Sequence, residues 1–132
     1  LIYNSFPLMG GAVVPSDYWL AELGWLNAFE NRTAVQLHHR VLATATLLAV
    51  GWLWWRVRRG KALWPASKAA LCLIGAVLLQ YALGVVTILR FGQAPPPMTE
   101  AVAIGTLHQA GAMVLVTAAV WFAHAARIGL RR

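Results

Sequence analysis

Apolar residues in this chain fall into three long blocks, separated by short polar or basic stretches. The blocks run from Thr33 to Trp55, Ala69 to Leu89 and Ala101 to Ala126. Each is long enough to cross a hydrocarbon core of ~30 Å. Backbone N–H and C=O groups in lipid must be satisfied within their own segment, so each block is expected to be a helix. The pattern predicts an all-α membrane protein with transmembrane helices over 33–57, 69–90 and 101–126. The connections are then 58–68 and 91–100, with 1–32 leading in and 127–132 trailing out. Asn4, Pro7, Gly10, Gly11 and Pro15 break up the first half of the leading segment. Further on, Ser16 and Asp17 offer a cap for a short helix whose apolar side is Trp19, Leu23 and Leu26, with Trp25 and Phe29 nearby. Such a helix would lie in the membrane interface. An ordered loop with aromatic anchors fits the same residues.

Composition supports the membrane assignment. The chain has 132 residues, of which 60% are hydrophobic and only 11% charged, against roughly 25% charged in soluble domains. The net charge of +7 alone would suggest nucleic acid or acidic lipid. Its distribution argues against nucleic acid. Arg56, Arg58, Arg59, Lys61 and Lys68 sit between the first two blocks, and Arg127, Arg131 and Arg132 follow the third. The acids Asp17, Glu22, Glu30 and Glu100 lie in the other two connecting segments. The basic segments are therefore expected on the cytoplasmic or matrix side. Trp52, Trp54 and Trp55, followed by Arg56 and Arg58, form an aromatic belt at that side. Pro95-Pro96-Pro97 stiffens the second connection, on the outer side. Cys72 is the single cysteine, which excludes an internal disulfide. No signal-peptide pattern is read at the start, and a chain opening Leu1-Ile2-Tyr3-Asn4 without Met is expected to be a piece of something longer.

Gln36, His39 and Arg40 stand inside the first apolar block, and His108 inside the third. Ionisable residues at membrane depth are functional candidates. The first and third helices both run inward, and each histidine lies about two turns in, roughly 10 Å below the outer end. Two imidazoles at matched depth on parallel helices suit the axial positions of a low-spin haem; they also fit as polar packing residues. Ile104, Gly105, Gly111 and Ala112 surround His108 on its face, and Ala43 and Thr46 follow His39. These small side chains leave room for a macrocycle, or allow close helix packing without one. Arg40 can pair with a haem propionate or snorkel outward. His38 points ~100° away from His39 around the helix and need not share its role. His124 lies ~24 Å below His108 and reads as an inner-interface residue. A zinc site is disfavoured, because His38, His39 and His108 do not easily converge and no Cys or Asp is near. Gln80, mid-block, reads as helix–helix glue.

Several motifs resemble the haem A synthase family. They are Tyr3-Asn4-Ser5-Phe6-Pro7-Leu8-Met9, Phe29-Glu30-Asn31, Val35-Gln36 with His39-Arg40, Gln80-Tyr81-Ala82-Leu83-Gly84 with Thr87, and Leu107-His108-Gln109-Ala110-Gly111. They occur in family order across nearly the whole chain. The resemblance implies an eight-helix protein of two four-helix halves, of which this chain is the C-terminal one, its three spans forming most of a haem-binding bundle. It implies that His39 and His108 are the axial ligands of a haem b iron. The family oxidises the C8 methyl of a substrate, haem O, to a formyl group, giving haem A for cytochrome c oxidase. The expected location is a bacterial plasma membrane, or else the mitochondrial inner membrane. Expected partners are the bilayer, the N-terminal half, haem O synthase and cytochrome oxidase assembly factors, and no nucleic acid. The other half is expected to carry the substrate site, with a carboxylate three residues before its first histidine. Here that position is Gln36, so no catalytic residue is expected in this segment and the segment alone should be inactive. His38 departs from the Asp of close relatives. Two rivals are an electron-transfer cytochrome b subunit and a haem-free membrane scaffold or assembly protein.

The charge asymmetry yields a test of topology. In a Cys72→Ala background, Ser16→Cys is expected to react with an impermeant thiol reagent added outside, and Ser67→Cys is not. Labelling of Ser67→Cys from outside would contradict the orientation.

Overall fold

The computed structural model describes residues 2–60, 64–92 and 96–130. Three long helices dominate: α1 (Arg32–Arg59), α2 (Trp64–Gly92) and α3 (Met98–Leu130). Each extends beyond the apolar block that predicted it. Ala66 to Lys68 and Thr99 and Glu100, expected in connections, are helical. So are Arg127 to Leu130 at the end. Lys61, Pro95, Arg131 and Arg132 lie outside the described residues.

α2 is the central helix, with α1 and α3 packed against it. Its buried residues Ala66, Ala70, Leu73 and Val77 recur at alternating spacings of four and three. Gln80, Gly84 and Thr87 continue the same stripe. On α3 the matching stripe is Ile104, His108, Gly111, Leu115, Ala118, Phe122 and Ala125. This four-three alternation keeps one seam of a helix against its neighbour. Small residues dominate both seams and let the backbones approach closely. Leu73, Ala76 and Ala118 form the buried core, with Val50 and Leu53 of α1 and Leu115 and Phe122 of α3 packed on it. That core lies toward the inner ends. The outer ends, where polar residues sit on the seams, hold a cavity instead.

Outside these seams the helices are apolar and exposed. In the most apolar stretch of α2 only 11% of residues are buried, and in that of α3 only 6%. The core helix of a soluble protein would be mostly buried, so these two helices are shaped for a lipid surround. α1 does not reach the same standard among the described residues. The reason is physical. Its apolar run is confined to Val41–Trp55, between Arg40 and Arg56, about 22 Å of helix. Of the three expected spans, two are long and apolar enough by themselves.

Local chemistry sets the ends of α1. The Asn31 side chain caps it, accepting from the N–H groups of Thr33 (2.9 Å) and Ala34 (3.4 Å). Arg56, Arg58 and Arg59 occupy its last turn, where cations meet the negative end of the helix dipole. Each also stacks on a tryptophan four residues back: Arg56 on Trp52 at 5.7 Å, Arg58 on Trp54 at 5.2 Å and Arg59 on Trp55 at 4.5 Å.

The leading segment contains no α-helix. Ser16–Tyr18 and Ala21–Ala28 form 3-10 turns, the second broken at Gly24, whose φ of 49° lies in the left-handed region. Ser16 and Asp17 do not cap the first turn; Pro15 holds that position with no side-chain bond. Of the two readings of this stretch, the ordered loop matches, with Trp25 and Phe29 more than 70% exposed. Asn27 folds it by bonding both backbone groups of Leu20 and the carbonyl of Gly24. Asn31 joins it to α1 by donating to the carbonyls of Asp17 and Tyr18.

The α2–α3 seam has no room for a larger side chain. Ala70 is 2% exposed, so Ala70→Leu is expected to destabilise the bundle by about 1–3 kcal/mol. The exposed Leu79→Ala is expected to change stability by less than ~0.5 kcal/mol. Thermal unfolding in detergent compares the two.

Candidate functional site

The histidines of the first and third helices, His39 and His108, meet. Their ring centroids are 6.4 Å apart, with the ring planes inclined at 74°. At metal–nitrogen distances of about 2.0–2.1 Å, two histidines sharing one metal ion have ring centres roughly 6 Å apart. A cavity of about 450 Å³ opens beside them, bounded by all three helices and by Phe6. Its wall is mostly apolar, with Gln36, Arg40, Thr46, Gln80, Tyr81 and Thr87 as the other polar contributors, and it includes no Asp or Glu.

Each helix places its histidine for a definite reason. His39 lies in the second turn of α1, which the Asn31 cap starts at a fixed point. His108 lies on the α3 seam and so faces α2. Its ring rests on Gly84, where an added Cβ would come within 3.2 Å of Cε1. Gln80, one turn earlier on α2, donates from Nε2 to the His108 carbonyl at 3.0 Å. Tyr81 closes the next part of the wall, bonded to the Thr44 hydroxyl at 3.2 Å and edge-on to Phe6 at 6.4 Å. His39 is exposed and His108 half-buried, because the bundle leaves one side of the cavity open.

The donor set, the ring separation and the Gly84 seat all fit a haem held between His39 and His108. Among the described residues, no group of three or more His, Cys, Asp or Glu converges as metal ligands. His38 stays apart from the pair. Its Nε2 shares a 3.0 Å hydrogen bond with the Tyr18 hydroxyl, which gives this residue a tethering place that its position alone did not suggest. His124 does not line the cavity.

Arg40 reaches the leading segment of the chain. It lines the cavity, but its guanidinium donates to the carbonyls of Tyr3 and Ser5 at 2.9 Å each, with longer contacts to Leu8 and Pro7. Gln36 binds the same strand: its Oε1 accepts from the N–H groups of Ile2 and Tyr3 at 3.2 Å, and its Nε2 donates to the Tyr3 carbonyl. Residues 2–8 thus form a strap tied to α1, and Phe6 of this strap lines the cavity. A carboxylate anchors the strap from the other side. Asp17 accepts from the Tyr3 hydroxyl at 2.6 Å and from the Thr33 hydroxyl at 2.6 Å. These two bonds, Thr33 first, hold its carboxyl below the usual carboxylate range. The Asp17 contact in turn raises the Tyr3 hydroxyl above its ordinary value.

Residues 1–120 match the family model described as cytochrome oxidase assembly protein. The chain is 38% identical to the haem A synthase of Parvibaculum lavamentivorans over 94% of its own length and 33% of the relative's. It is 37% identical to the haem A synthase of Arabidopsis thaliana, covering 95% of this chain and 26% of that one. With the haem A synthase of a Caulobacter species the identity is 40%, over 93% and 34%. The chain therefore spans about a third of the length of these curated relatives. No solved structure gives a significant match. A helical protein with two lipid-suited helices and a histidine pair across a cavity is the class that the fold defines. Within that class, this chain belongs to the cytochrome oxidase assembly protein family that includes the haem A synthases.

Two outcomes follow for the strap. Arg40→Met removes its charge-assisted bonds and is expected to weaken strap attachment by about 1–3 kcal/mol, read as faster amide exchange over residues 3–8. Because the folded pKa of Asp17 is depressed, its stabilising contribution is present above the unfolded value of about 3.9 and is lost as pH falls through the lower folded value. Acidification should therefore lower the protection of the Tyr3 amide relative to its intrinsic exchange rate, and Asp17→Asn should flatten that dependence.

Proposed function

We propose that this chain is the haem b-binding, C-terminal half of a haem A synthase, a multi-pass protein of a bacterial plasma membrane. The observation that carries the reading is the His39–His108 pair, 6.4 Å apart on two helices beside an apolar cavity. The kinship with proteins named haem A synthase supports it. In this reading α1 is a third span, and the bundle is completed by a further helix of the same protein. The full protein converts the C8 methyl of haem O to the formyl group of haem A. Its partners are its own N-terminal half, haem O synthase and assembly factors of cytochrome oxidase.

The residues of this chain have defined tasks. His39 and His108 would hold the haem b iron through neutral imidazole nitrogens. When bound, that haem supplies one-electron exchange. Gly84 leaves space for the His108 ring, and the apolar wall offers a surface for a macrocycle. Gln36 and Arg40 hold the strap on α1. A haem held by both His39 and His108 would leave no position for a substrate group at its metal. The cavity wall also lacks a carboxylate, and an amide such as Gln36 does not take up a proton near neutral pH. General-base chemistry of the usual kind therefore belongs elsewhere, and this half serves electron transfer from the substrate site.

His39→Ala and His108→Ala are each expected to abolish the low-spin optical spectrum of this half, whereas His124→Ala and His38→Ala retain it. A normal spectrum at full haem occupancy in either ligand variant would refute the pairing. Co-expression with a matching N-terminal half should restore haem O conversion that this segment alone lacks. Haem A formed by the segment alone would refute the division of labour.

A further inference from the structure

We propose that Gln80 is the positioning residue of His108, and that its carboxamide oxygen accepts the ring N–H of that histidine when the other ring nitrogen ligates iron. The inference rests on the haem-holding role proposed above. Gln80 lies on the α2 seam with its carboxamide between His108 and Gly111 of α3. Its Nε2 donates to the His108 carbonyl and lies 3.3 and 3.4 Å from the two ring nitrogens. Among the described residues it is the only side chain within hydrogen-bond distance of that ring. Its Oε1 is buried and has no partner. Oε1 occupies space that exists because residue 111 is glycine: an added Cβ would stand 2.3 Å from it.

These facts are complementary. A ligating histidine puts one nitrogen on the metal and hands the N–H of the other to an acceptor, which fixes the tautomer and raises the basicity of the ligand. Here His108 needs an acceptor, and the one side chain beside it carries an unpaired one. In the present arrangement the amide offers the ring a donor, which favours a lone pair on the near nitrogen. Turning the terminal carboxamide gives up the Nε2 bond to the His108 carbonyl and presents an acceptor, in place of a donor, to the ring. Gln80 therefore reads as more than helix–helix glue.

The test uses the full-length protein loaded with haem, observing the haem signal that His108→Ala removes. Gln80→Met keeps the size and removes both donor and acceptor. Gln80→Glu keeps an acceptor only. Loss of the acceptor makes His108 a weaker donor to ferric iron, so Gln80→Met is expected to raise the reduction potential and to weaken haem retention about 10–100-fold. Gln80→Glu is expected to shift the potential the other way. A potential unchanged in Gln80→Met, or variants shifted in the same direction, would overturn the proposal while leaving the histidine pair intact. Should Gln80→Glu not assemble, the direction of the Gln80→Met shift decides alone. Wild-type protein without a bis-histidine haem would overturn both this inference and the reading on which it rests, and the wild-type spectrum tells the two failures apart.

Discussion

A polar group carried into an apolar helix must find its partner within the bundle, because lipid offers none. That constraint divides this structure along its length. One half of the bundle meets through Leu73, Ala76 and Ala118, with Val50, Leu53, Leu115 and Phe122 packed on them. The other half carries Gln36, His39, Arg40, Gln80 and His108, and there the helices line a cavity. The polar side chains bond to one another or to backbone: Gln80 to the His108 carbonyl, Arg40 and Gln36 to the strap, Thr44 to Tyr81. Thr46, Thr87 and Thr117 instead return their hydroxyls to the carbonyl four residues back. The histidine rings are the groups left facing each other.

The strap follows from the same constraint. Arg40 has too many donors for a helix interior to satisfy, and the nearest free acceptors are the carbonyls of a chain segment without regular structure. Arg40, Gln36 and Asp17 pin that segment, although Arg40 Nε is left without a partner among the described residues. This pinning also brings Phe6 to the cavity wall beside Tyr81. Stability of the outer end and lining of the site are thus two results of one set of hydrogen bonds.

The helices were legible in sequence because each apolar block is long and their ends carry the expected charges. The histidine pair was legible from depth alone, since two inward-running helices fix the level of His39 and His108. The limits are equally physical. α1 is the least apolar of the three helices, its run being bounded by Arg40 and by the Trp–Arg ladder. The contacts of Arg40 were not legible because they are backbone carbonyls more than 30 residues away, and no side-chain pattern announces them. The Tyr3–Asp17–Thr33 and Tyr18–His38 contacts are likewise distant in sequence. Gln80 could have been placed: it continues the four-three spacing of Ala66, Ala70, Leu73 and Val77, which aims it at α3.

The central claim is that His39 and His108 together hold one haem. The most direct measurement is low-temperature electron paramagnetic resonance of the ferric, haem-loaded wild-type protein. A low-spin signal of bis-imidazole type, replaced by a high-spin signal in His108→Ala, is the expected result. A high-spin wild-type signal, or a low-spin signal that survives loss of either histidine, would contradict it.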